Sequence, residues 1–108
     1  MTTKTKNSSP ARKAYQRFKG KYSDCILLFR IEGYYEAFWE DAEIFSDVCN
    51  LPLFNRKKAG VSIPFIDIPL WEHKKYLRKM LRAGHKVAVC ENINNCDVIC
   101  IITSPQQS

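Results

Sequence analysis

The sequence predicts an α/β fold: a mixed β-sheet of about six strands flanked by three helices. Three observations point there. Apolar residues recur at helical spacing in three separate stretches, short apolar runs of strand length lie between them, and Gly, Pro, Asn and Asp punctuate the joins. The 108 residues leave room for one hydrophobic core, so a single domain is expected at residues 10–105, between loose tails at 1–9 and 106–108.

Taken in order, Ser9 and Pro10 read as a helix N-cap followed by proline at the first helical position. Tyr15, Phe18 and Tyr22 then form an apolar stripe, with Arg12, Lys13, Arg17, Lys19 and Lys21 on the polar sides, and Gly20 with Ser23 and Asp24 closes the helix. Residues 25–31 are an apolar run of strand length, Glu32 and Gly33 a turn, and residues 34–39 an aromatic-rich second strand. A second helix is expected over 40–50, with Ala42, Phe45, Val48 and Cys49 inward, Asp41, Glu43 and Asp47 outward, and Asn50 as its stop. Residues 51–54 and 62–68 read as two strands flanking a basic loop at 55–60. Pro69 opens a third helix over 70–83, striped by Leu70, Tyr76, Leu77, Met80 and Leu81 and capped by Gly84. Residues 86–90 and 98–103 are two further strands around a turn at 92–95.

Composition narrows the function classes. With 45% hydrophobic and 26% charged residues the chain is an ordinary globular protein. It has no apolar run approaching the roughly 18 residues of a membrane span, and its first residues lack the apolar centre of a signal peptide, so a cytoplasmic protein is expected. The cysteines at 25, 49, 90, 96 and 100 form no CxxC pair, and Cys90, Cys96 and Cys100 do not match zinc-finger spacing, so reduced, buried thiols and no zinc are expected. Charge is polarised: residues 1–22 carry +7 without one acid, residues 23–50 carry −6, and the whole chain carries +6. That distribution suits a polyanionic partner.

Enzyme signatures are missing. There is no Gly-rich phosphate loop, no Gly-x-Ser-x-Gly and no His-Glu-x-x-His. His73 and His85 read as ordinary surface residues, and the carboxylates of residues 32–47 follow a solvated helix face more than a nuclease metal site. No catalytic residue and no cofactor are expected.

Residues 30–38, Arg-Ile-Glu-Gly-Tyr-Tyr-Glu-Ala-Phe, carry the most specific signal. With the apolar strand before them and the acidic pair and Ala42 after them, they resemble the N-terminal mismatch-recognition domain, domain I, of the MutS DNA mismatch-repair family. That family typically shows Arg-Met-Gly-Asp-Phe-Tyr-Glu-Leu-Phe. The likeness continues in order through Tyr15, Arg56, the Ile-Pro-Phe-Ile-Asp-Ile-Pro of residues 63–69, Tyr76 and Leu77, Gly84, the Val-Ala-Val-Cys-Glu-Asn of residues 87–92, and Ile-Ile-Thr-Ser-Pro at 101–105. It implies that Tyr34 takes the place of an aromatic wedge stacked on a mispaired base, and Glu36 that of the acid hydrogen-bonded to that base. Apolar wedges open and kink a step from the minor groove, and opening costs least where pairing is already poor.

The sequence departs from the family in places. Tyr34 stands for Phe, Glu32 and Gly33 stand for Gly-Asp, and Asp67 stands for Gly. The family's connector, lever, clamp and ATPase domains have no counterpart in these 108 residues, which gives the expectation of a stand-alone DNA-binding module without ATP hydrolysis. Phosphate contacts are expected from Arg12, Lys13, Arg56, Lys57, Lys58, Lys74, Lys75, Arg78 and Lys79. The expected partner is duplex DNA, matched, mismatched or distorted, with another DNA-repair protein as a second partner and no membrane. The alternative is a protein-interaction or regulatory module that keeps the fold without DNA reading, its acidic second helix facing a basic partner.

Overall fold

The computed structural model describes residues 10–58, 60–91 and 99–102. Helix α1 (Pro10–Lys21) leads into strand β1 (Cys25–Ile31), which turns into β2 (Tyr34–Phe38) and then helix α2 (Trp39–Cys49). The antiparallel strands β3 (Phe54–Lys58) and β4 (Val61–Pro69) follow. A 3-10 turn (Leu70–Glu72) opens into helix α3 (His73–Arg82), and strands β5 (Lys86–Cys90) and β6 (Ile99–Ile102) come last. The six strands form one sheet in the order β3-β4-β2-β1-β5-β6. Strands β1 and β5 run parallel; the other neighbouring pairs are antiparallel. This is the mixed sheet with three helices that the sequence predicts.

Burial explains which runs became central. Residues 25–29 of β1 and 87–90 of β5 are all buried, because helices cover both faces of the sheet there. A strand covered on both sides reads as a continuous apolar run. On one face Ile26, Leu28, Tyr35, Ala37, Ile66, Ile68, Val87 and Val89 pack under α2 and α3. On the other, Leu27, Phe29, Phe38, Ile63, Ala88 and Cys90 pack under Ala14, Tyr15 and Phe18 of α1. The helix ends follow the expected chemistry: Asn50 caps α2 in the left-handed region at φ 57, and Gly84 follows α3 at φ +93.

Three expectations change. The basic segment expected as a loop at 55–60 is mostly the edge strand β3: Lys58 pairs with Val61, so two residues make the connection, with Gly60 at φ +80. An edge strand tolerates lysines, which discourage pairing with other chains. Pro69, expected to open the third helix, instead ends β4 opposite Tyr34, and the α-helix begins only at His73. Asp41, expected outward, is 1% exposed. Its carboxylate accepts hydrogen bonds from Lys19 Nζ at 2.8 Å and from the Leu27 backbone N–H at 3.1 Å, tying α1 and β1 to α2.

Among the described residues, Cys25, Cys49 and Cys90 are buried thiols in no disulfide. Among the described residues no group of three metal-ligating side chains occurs, and no helix is long and apolar enough to cross a membrane. Ser9 and Cys96 lie outside the described residues, so the expected N-cap and the Cys90–Cys96–Cys100 grouping do too.

Candidate functional site

The site is built on the β1–β2 hairpin. Ile31 pairs with Tyr34, leaving Glu32 and Gly33 as the turn. Glu32 sits at φ 57, a left-handed conformation that costs a residue with a Cβ about 1–2 kcal/mol. The family pattern has Gly-Asp where this chain has Glu32-Gly33. The turn closes, and β2 starts at Tyr34.

Alternation along β2 then sorts the aromatic run. Tyr34 is 44% exposed at the strand's first position, while Tyr35 points to the opposite face and is buried under α3. The Tyr35 hydroxyl donates to Glu91 Oε2 at 2.8 Å, and its ring lies 5.2 Å from that of His73. Burial, then the bond to Glu91, pushes the Tyr35 phenol up to about 12. It is a neutral structural tyrosine. His73 is half-buried rather than a plain surface residue, its Nδ1 lying 2.6 Å from the Leu70 carbonyl oxygen.

Glu36 shares Tyr34's face and is 9% exposed. It pairs in register with Phe29 on one side and Asp67 on the other. Arg56 reaches across from β3: its guanidinium lies 4.1 Å from the centre of the Phe65 ring, with Nη1 3.6 Å from Glu36 Oε1. At that separation the two form an ion pair without a hydrogen bond, and Glu36 Oε1 is buried with no hydrogen-bond partner. Burial is the main reason the Glu36 carboxyl holds its proton above the usual carboxylate range; Arg56 opposes this and Asp67 adds to it. A recessed carboxyl can donate a hydrogen bond to an incoming polar group when protonated and accept one when ionised.

The residues expected at phosphates divide across the sheet. Arg56 stands beside Glu36, and Lys57 is exposed on the same edge strand. Lys13 is exposed on α1, which covers the Tyr34 face, whereas Lys74, Lys75, Arg78 and Lys79 are exposed on α3, which covers the other. Lys75 and Lys79 also lie over the Tyr76 ring at 4.9 and 5.9 Å. The side chains of Arg12 and Lys58 lie outside the described residues. The basic helices therefore frame the sheet from two sides instead of forming one continuous surface.

One residue escaped sequence reasoning. Trp71, in the 3-10 turn after β4, is 80% exposed, more than any other large hydrophobic residue described. Inside an expected helix it carried no signal. The tighter turn takes it off the apolar stripe of α3.

A profile of MutS domain I matches residues 9–103, from α1 through β6. The chain belongs to the MutS domain I family. It is 45% identical over 87 residues to the DNA mismatch repair protein MutS of Thermosipho melanesiensis, covering 81% of this chain and 10% of that protein. The MutS of Thermotoga petrophila is 44% identical over 85 residues, 79% of this chain and 10% of that protein. That of Fervidobacterium nodosum is 41% identical over 93 residues, 86% of this chain and 11% of that protein. The chain thus spans about a tenth of the length of these relatives. In this MutS domain I, Tyr34 and Glu36, the two residues singled out by resemblance, share one face of β2, with the aromatic ring the more exposed.

Proposed function

We propose that this MutS domain I binds duplex DNA and reads mispaired or distorted steps, with Tyr34 as the wedge and Glu36 as the hydrogen-bonding acid. The observation that carries the reading is the pairing of an exposed aromatic ring with a recessed carboxyl two residues on, whose buried oxygen has no hydrogen bond, in a chain of this family. Arg56 serves both states: alone it neutralises Glu36, and at DNA its half-exposed guanidinium reaches a phosphate. Lys57 and Lys58 extend that contact along β3. Arg12 and Lys13 supply phosphate contacts from α1, and Lys74, Lys75, Arg78 and Lys79 from α3. The proposal assigns recognition to these residues and no catalytic step. The rival protein-docking role drew on the acidic second helix, and that face loses Asp41 to the core.

The test is a fluorescence-anisotropy titration of labelled matched and mismatched duplexes at two salt concentrations. Preference for the mismatched duplex, with affinity falling as salt rises, supports the proposal. Each phosphate contact removed flattens the log-affinity against log-salt slope by about 0.9, so a Lys74→Glu, Lys75→Glu variant should show a shallower line. No binding to either duplex at low salt would overturn the reading.

A further inference from the structure

Trp71 has no place in the family's aromatic-x-Glu pattern, yet the fold puts it beside that pattern. Tyr34 pairs with Pro69, and the Leu70 backbone N–H donates to the Gly33 carbonyl at 3.2 Å, pinning the 3-10 turn to the β1–β2 turn. Antiparallel partners lie about 5 Å apart and the chain advances at most about 3.5 Å per residue, so the Trp71 backbone lies within about 12 Å of Tyr34's. That is a span of a few base steps of about 3.4 Å each.

The turn also holds Trp71 outward. Leu70 packs against the core on one side, Pro69 fixes the entry at φ −59, and the rigid start of α3 follows. A large apolar ring kept in water costs stability in proportion to its exposed area. Among the described residues nothing engages it by hydrogen bond or ring contact. The next exposed side chains along the chain are the cations Lys74 and Lys75. An outward aromatic ring followed by cations is the pairing used to stack on bases while holding the backbone.

We propose that Trp71 is a second aromatic contact to DNA, stacking on a base displaced from the helix next to the step that Tyr34 opens. The inference rests on the DNA-reading function proposed above and adds a residue to it. Tyr34 enters the stack; Trp71 receives what leaves it. Duplexes with an unpaired base are therefore the substrates that engage both rings.

The chain has two tryptophans, and the other, Trp39, packs against Tyr15 at 4.8 Å and Phe38 at 5.9 Å. In a Trp39→Phe protein, Trp71 is the sole reporter. Anisotropy of a labelled duplex carrying one unpaired thymine gives the fraction bound, and tryptophan emission with the unlabelled duplex reads the ring. Quenching of Trp71 and loss of its iodide accessibility at saturation are expected. Should Trp39→Phe fail to fold, the difference between the emission of the parent and of Trp71→Phe isolates the same ring. Trp71→Ala should bind the bulged duplex about tenfold more weakly at unchanged Tm. Binding with unaltered Trp71 emission, or parental affinity in Trp71→Ala, overturns this inference and leaves the DNA reading standing. A Trp71 already shielded from iodide without DNA overturns it too, because the ring is then covered before DNA arrives. Absence of any duplex binding removes the DNA reading itself and this inference with it.

Discussion

Replacing Glu36 by Gln should make the protein more stable at neutral pH. Its Oε1 is buried with no hydrogen-bond partner, and such an atom costs about 1–3 kcal/mol, with a charged group at the upper end. The compensating ion pair with Arg56 is 3.6 Å long, and the Arg56 side chain is 39% exposed, so it returns at most about 1 kcal/mol. A neutral amide of the same shape still leaves a polar atom unpaired there but removes the extra penalty of burying charge, for a net gain of about 1 kcal/mol, or about 4–8 °C in Tm for a domain of this size. The sign with pH follows from the raised carboxyl. A group whose folded pKa lies above its unfolded value contributes stability below the unfolded pKa, near 4.3 for Glu, and loses it as pH rises through the folded value. The gain from Glu36→Gln is therefore largest at pH 7 and disappears near pH 3, well below the unfolded value, where both folded and unfolded parent carry the proton. Thermal unfolding followed by circular dichroism at both pH values reads this directly. A lower Tm for Glu36→Gln at pH 7, or a gain that does not change with pH, would refute the claim that this acid is held at a cost. Groups retained at such a cost cluster where function needs them.

Two further substitutions test the scaffold. Asp41→Ala strands the Leu27 N–H and leaves Lys19, 26% exposed, with the Cys25 carbonyl but without its ionic partner, so it should cost about 3 kcal/mol, the low end for a broken buried ion pair; a loss below about 1 kcal/mol in urea unfolding would show that the contact carries little. Glu32→Gly should relieve the left-handed turn residue and raise Tm by a few degrees, after allowing for the freer unfolded chain, and an unchanged or lower Tm would show the turn to be unstrained.

The sequence made the doubly covered strands visible, because β1 and β5 are apolar on both faces and could not be read as anything solvated. Strand β3 was hidden for the opposite reason. An edge strand carrying Asn55, Arg56, Lys57 and Lys58 has the composition of a loop, and the tight Gly60 turn was the signal that would have marked it. Asp41 was misplaced because its charge outweighed its position: it stands four residues before Phe45 and eight before Cys49, both buried on one helix face. At the site, Tyr34 and Glu36 came from family resemblance, and strand alternation placed them on one face. The Arg56–Glu36 contact joins residues twenty apart across three strands, and no local pattern carries it. Trp71 was lost because helical periodicity assumed an α-turn where the chain makes a 3-10 turn.

The central claim is that Tyr34 reads the DNA, and truncation of that ring tests it most directly. With the ring 44% exposed, Tyr34→Ala should leave the fold and its Tm nearly unchanged, so binding can be compared cleanly. Base stacking on an aromatic ring is worth about 1–3 kcal/mol by truncation. Anisotropy titrations should show Tyr34→Ala binding a mismatched duplex about tenfold or more weakly than the parent, with much less change on matched duplex. Tyr34→Phe should keep or improve the preference, since it removes a hydroxyl that is costly to bury between bases. If Tyr34→Ala binds both duplexes as the parent does, the ring is not a wedge and the mismatch-reading account is wrong.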